Sequence, residues 1–231
     1  MSNLSTRSRQ AEQMDAPSLA AATYARILTD LGGVNTWTLA RRPTINFLAR
    51  TLGGQRTFRL LDVGFGGGDM LRAIGKWAKR RGVEADLVGV DLNERSSAIA
   101  QALTPDDLRI EFRTGDYHDL GGRFDFVISN LVAHHMTDDQ LRAFLRFMET
   151  STRKGWIIND LHRRRFSHLG FPVLCRLMQW HPIVRQDGQL SIARSFRPAE
   201  WRAILADAGI TPGAARVVRR FPYRLCVERP R

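Results

Sequence analysis

Apolar positions change their period along this 231-residue chain. Over 16–31, Leu19, Tyr24, Ile27, Leu28 and Leu31 recur at helical spacing, and Gly32-Gly33 reads as the stop. A second helical stretch over 35–52 carries Ile45, Phe47, Leu48 and Leu52 and restarts at Pro43. Short apolar runs of strand length follow at 58–63, 87–90, 109–113, 124–130, 156–161, 215–219 and 223–227. Helical patterns follow the first, second and fourth. One over 69–81 puts Met70, Leu71, Ile74 and Trp77 on one face; another begins near Glu94; a third opens at Thr137, with Gln140 completing a capping box. After the fifth run, 166–180 reads as an inserted helix and 181–188 as a turn-rich connector. Pro198 then opens a last helix, with Arg197 at its weakly favoured N-cap. Strands alternating with helices predict an α/β fold around a parallel sheet. Residues 1–14 are polar and read as mobile.

The stretch from Phe58 to Asp69 organises the rest. Leu60, Leu61 and Val63 form a buried strand, which breaks into Gly64, Gly66, Gly67 and Gly68 before the helix begins. Glycine suits a tight turn that a ligand must approach closely. The dinucleotide fingerprint fails, because its third glycine position is Asp69, and a phosphate loop fails for want of Gly-Lys-Ser/Thr. What remains is Asp62-x-Gly64-x-Gly66-x-Gly68, an acid ahead of the glycines.

Further polar residues fall where strands end, the edge at which open α/β sheets bind ligands. Asp91 closes the second strand at about the ~20-residue offset of a ribose-binding acid; capping of the next helix is its other reading. Asp116 and Tyr117 follow the third strand. Asn130 and the pair His134-His135 follow the fourth, and His162 the fifth. Imidazole titrates in the range useful for proton transfer. A histidine in such an apolar setting is also commonly a packed core residue.

Composition narrows the picture. Lys and Arg number 35 against 23 Asp and Glu, a net charge of +12. The arginines are scattered and no aromatic-basic interleaving accompanies them, so solvated surface is favoured over nucleic-acid binding. No apolar run reaches the length of a membrane span, and 1–15 lacks a signal-peptide core. The two cysteines, Cys175 and Cys226, sit in apolar settings expected of buried thiols in a reducing cytoplasm. No Cys/His cluster has zinc spacing, and no metal is expected.

The glycine motif, in register with Asp91, Asp116 and the end of the fourth strand, resembles class I (Rossmann-like) methyltransferases that use S-adenosylmethionine (SAM). The resemblance covers 58–228. It is greatest to the small-molecule branch related to ubiquinone/menaquinone methyltransferases and natural-product O-methyltransferases. Asn159-Asp-Leu-His162 and Ser195-Phe-Arg-Pro-Ala-Glu200 are similar to stretches in enzymes of bacterial polyketide phenol pathways. Phe65 departs from the pattern, since relatives carry a small residue there.

That resemblance implies a seven-stranded, doubly wound, mostly parallel sheet with an antiparallel last strand. It implies a helical cap over 1–52, a SAM-binding domain over 53–231 and a substrate lid at about 163–195. Asp62, Gly64, Gly66 and Gly68 would cradle the cationic cofactor, Asp91 with Leu92 its ribose, and Asp116 with Tyr117 its adenine, with Asn130 beside them. The acceptor implied is a small aromatic phenol or quinol. An in-line methyl transfer to its oxygen would leave S-adenosylhomocysteine (SAH), with His135 as base and His134 and His162 behind it. C-methylation of a quinol-like acceptor, methylation of RNA, and cofactor binding without catalysis are the rival readings. The apolar 166–180 segment suits a lid or a homodimer face.

Overall fold

A computed structural model describes residues 4–231. Two helices, α1 (Ala21–Trp37) and α2 (Arg42–Thr51), precede the sheet. Then β1 (Thr57–Val63), α3 (Asp69–Arg80), β2 (Glu84–Asp91), α4 (Glu94–Ala102), β3 (Ile110–Thr114), β4 (Phe124–Asn130), α5 (Asp138–Ser151) and β5 (Thr152–Leu161) alternate. Helices α6 (Arg165–Leu177), α7 (Pro182–Arg194) and α8 (Pro198–Asp207) follow, and β6 (Arg216–Arg220) and β7 (Arg224–Pro230) finish the chain. The strands form one sheet in the order β3-β2-β1-β4-β5-β7-β6. β7 runs antiparallel to both β5 and β6 and the other pairs are parallel, as expected for this α/β class. Both faces are covered. Phe144, Trp156 and Trp201 centre one core layer, and Phe47, Phe58, Trp77 and Phe126 the other.

The central strands are buried on both faces, which explains the adjacent apolar residues Leu60-Leu61 in β1 and Phe126-Val127-Ile128 in β4. Thr137 caps α5 as its sequence indicates: its hydroxyl accepts from Gln140 N, and the Gln140 side chain accepts from Thr137 N. Arg197 gives α8 no side-chain cap, but Glu200 accepts from Arg197 N at 2.6 Å.

Three local expectations change. Gly32-Gly33 does not end α1, which continues to Trp37. A Cβ on Gly33 would lie 3.1 Å from the Trp180 indole nitrogen, so this glycine serves close packing rather than termination. The 181–188 stretch is not a connector but opens α7, with Pro182 in its first turn and His181 Nδ1 accepting from Ile183 N. Finally, 4–15 is a strap tied down along its length. Arg163 donates to the Leu4 carbonyl, Ser8 N to Ala193 O, and Gln13 N and Met14 N to the buried Asp187 carboxylate. These partners lie far away in sequence, which a local reading cannot see.

Helix α6 leaves Phe166, Leu169, Val173 and Leu177 exposed along one stripe. Both cysteines are buried, and burial pushes their thiols up, to about 11 for Cys175 and about 12 for Cys226. Among the described residues no helix is long and apolar enough to cross a membrane.

Candidate active site

The glycine loop leaves β1 and enters α3 in left-handed conformations, with φ of 77° at Gly64, 52° at Gly66 and 73° at Gly68. Two of these positions also lack room for a side chain. A Cβ on Gly64 would meet Val132 at 2.4 Å, and one on Gly68 would meet the Phe112 ring at 2.9 Å. Phe65 does not block the loop. Its ring turns down over Gly89 and packs against Phe112 at 5.0 Å.

Acidic side chains surround this turn. Asp91 accepts from Gly66 N at 2.8 Å and from Asn93 N at 2.9 Å, so it braces the loop from the end of β2. Asn93, not Asp91, caps α4. Burial holds the Asp91 carboxyl above its usual range despite these two donors. Asp62 is 1% exposed, and its one hydrogen-bond donor is Asn130 Nδ2 at 3.4 Å. Burial, reinforced by Asp69, raises its pKa to about 8. A buried carboxyl so poorly supplied with donors favours a cation beside it. Asp69 is already met by Arg41 at 2.8 Å and Asn35.

Asn130 links this corner to the helices: its Oδ1 accepts from Thr44 at 2.7 Å. Leu131 follows with a φ of 62°, an uncommon conformation for a branched residue and one that often marks a working site. A cavity of about 30 Å³ remains between Asn35, Asp62, Gly64, Asn130 and Arg224. Arg224 is 3% exposed, and among the described residues its Nη1 has no hydrogen-bond partner. A buried, unpaired guanidinium nitrogen beside a buried acid is fitted to a ligand carrying both a carboxylate and an amino group. Arg224 escapes sequence reading because it sits in an arginine-rich tail with no local pattern.

Along the same edge Leu92 is 74% exposed. Asp116 is half-exposed, accepts from His118 N, and pairs with the His118 ring at 2.8 Å. Tyr117 stacks among His118, Phe144 and Phe147, and burial pushes its hydroxyl up to about 12.

His134 and His135 stand together in a 3-10 turn after β4, their rings 4.3 Å apart. They differ sharply. His134 is buried and held at 2.7 Å by Asp160 of β5. Asp160 and Glu12 outweigh burial and raise its pKa to about 9. His135 is partly exposed, with Nδ1 3.3 Å from Asp15 and Nε2 3.7 Å from Glu12. His162 is not brought into this group by any hydrogen bond. Burial among Arg164, Arg219 and Arg197 lowers its pKa to about 4, which makes it a weak base. Glu12 and Asp160 are the residues that sequence reasoning missed here.

A larger groove of about 860 Å³ lies elsewhere, between the strap and α7. Gln10, Gln13, Gln186 and Gln189 line it, with His168 and Asp187 among them.

Residues 60–155, which hold the glycine loop, the acids and the histidine turn, match the family model described as a methyltransferase domain. Over these residues the chain is similar to that family. Solved methyltransferase structures share its fold. Magnesium protoporphyrin IX methyltransferase from Synechocystis PCC 6803, solved with SAH, is 19% identical over 95% of this chain and 91% of its own, with a TM-score of 0.55. A SAM-dependent methyltransferase from Aquifex aeolicus is 18% identical over 92% and 98%, with a TM-score of 0.62. The plantazolicin methyltransferase BpumL, solved with a pentazolic desmethylPZN analog and SAH, is 14% identical over 91% and 95%, with a TM-score of 0.64. No curated protein sequence matches this chain.

Proposed function

We propose that this methyltransferase transfers the methyl group of SAM to a hydroxyl of a small aromatic acceptor of phenol or quinol type. The cofactor brings an electrophilic methyl on a sulfonium, so the chain's task is to bind, align and deprotonate. Asp62 and Arg224 suit the amino acid end of SAM, Asp91 with Leu92 its ribose, and Asp116 with Tyr117 its adenine. The observation that carries the choice of oxygen is His135: a partly exposed imidazole, flanked by Glu12 and Asp15, on the same sheet edge as the loop. A phenol must lose a proton as it is methylated, and His135 is positioned to take it. His134, gripped by Asp160, orients the turn. The exposed apolar stripe of α6 supports a lid over an apolar acceptor, with a homodimer face as the other use.

The test is incubation of the protein with methyl-labelled SAM and a panel of phenols and quinols. Labelled methyl ethers are the expected products. Label fixed on ring carbon would replace O-methylation with C-methylation, and label only on added RNA would end the small-molecule reading.

A further inference from the structure

The histidine turn holds an arrangement that proton transfer does not require. One ligand atom each from Glu12, His134 and His135 lies within 4.8 Å of the other two. Glu12 Oε1 is 3.6 Å from His134 Nε2, and Glu12 Oε2 is 3.7 Å from His135 Nε2. Both distances exceed the ~2.7–3.2 Å of a hydrogen bond. They approach the ~3.3 Å that separates two ligands bound at about 2.0–2.1 Å around a tetrahedral centre.

Two members of the set, Glu12 and His134, are buried, and one His134 nitrogen is orphaned. His134 is 3% exposed, and among the described residues its Nε2 has no hydrogen-bond partner within ordinary distance. Its other nitrogen is already committed. Asp160 Oδ1 sits 2.7 Å from Nδ1, and Asp160 Oδ2 accepts from the His134 main-chain N–H at 2.9 Å. Asp160 on Nδ1 fixes the ring and aims Nε2 at Glu12, the usual outer support of a metal-binding histidine; an ion bound there would displace the Nε2 proton. Asp15 stands in the same relation to His135 Nδ1, at 3.3 Å. Arg194 approaches Glu12 at 3.9 Å, but its hydrogen bonds go to the carbonyls of Gln10, His134 and His135. Ser191 supports Glu12 Oε1 at 2.7 Å.

We propose that Glu12, His134 and His135 form a site for one divalent first-row transition ion, of the zinc type. Two imidazoles and one carboxylate are a familiar zinc set that leaves a fourth position open. The partly exposed side at His135 is where that position opens. The ion's catalytic use rests on the acceptor reading above; its binding does not. With the ion in place His135 is a ligand rather than the base. Held by Glu12, His134 and His135, the ion would supply Lewis-acid stabilisation to an acceptor hydroxyl as it loses its proton to water.

The experiment uses tag-free full-length protein, stripped with chelator and titrated calorimetrically with Zn²⁺, with Mg²⁺ as control. One Zn²⁺ per chain at micromolar affinity or tighter is expected, together with visible absorption bands when Co²⁺ is substituted. Glu12→Gln and His135→Gln should each weaken Zn²⁺ by at least tenfold, and Asp160→Asn by about 10–100-fold. His135 is partly exposed, so its variant guards against loss by misfolding. SAH titration of the same samples reports folding and the cofactor site independently. Absence of Zn²⁺ binding by protein that binds SAH, or binding unchanged in both ligand variants, overturns the ion site and leaves His135 as the base. Stoichiometric Zn²⁺ binding without methylation of any phenol keeps the site and removes the acceptor reading.

Discussion

At the scale of single residues, burial and charge make Asp62 the most telling group. Its pKa of about 8 lies above the ordinary 3.8, so it holds a proton at neutral pH. An ammonium placed beside it favours the anion, and the proton leaves. SAH affinity is therefore expected to rise between pH 6 and 8. Calorimetry in buffers of different ionisation enthalpy should record proton release, and Asp62→Asn should abolish both effects. Asp91→Ala should weaken SAH about 10–100-fold, the cost of one or two hydrogen bonds to a charged group; unchanged affinity in a folded variant would remove the ribose role. For catalysis, His135→Gln should lower kcat by about 10²–10⁴ while SAH affinity stays level.

His134 bears on stability. Its folded pKa of about 9 exceeds the free value of 6.5. The stabilisation is thus complete below about pH 6.5 and lost as pH rises through 9. The Asp160 partner is depressed, so its share disappears as pH falls through the carboxylate range. In metal-free protein, the Tm deficit of His134→Gln should be largest near pH 5–6 and shrink towards pH 10.

At the scale of elements, local chemistry and tertiary contact contributed differently to what could be read beforehand. The Thr137-Gln140 box, the unbroken run of β4 and the glycine break after β1 are decided by neighbours in sequence, and each stands where the pattern puts it. Gly33, Glu12 and Arg224 are decided by partners far away, so nothing local marks them. Gly188 is another such case. It lies inside α7, where a Cβ would fall 2.0 Å from the Phe171 ring of α6. Gly188→Ala should therefore part the two helices, at a cost of about 1–3 kcal/mol, read as a lower Tm and faster proteolysis of α6. The corner between α1 and α2 behaves differently. Its cavity of about 30 Å³ is closed in by hydrogen bonds from Asn35 to Asp69 and from Thr44 to Asn130, which tie both helices to the sheet edge.

At the scale of the whole molecule, the sheet sets one edge apart for chemistry. The loop after β1, Asp91 after β2, the histidine turn after β4, Asp160 near the end of β5 and Arg224 at the start of β7 all meet there. The strap crosses this edge and delivers Glu12 to the histidines, which joins the first described residues to the centre of the fold. Other arginines pair away from this convergence, as Arg50 and Arg220 do on Glu228.

The two sequestered thiols have a practical value. Cys175 and Cys226 are shielded and hold their protons at neutral pH, so maleimide reagents should pass them by. A single cysteine introduced at Leu177, on the open stripe of α6, would then be the sole point of attachment for a fluorophore or spin label. The native background is silent enough that motion of this helix during turnover becomes an optical or magnetic signal.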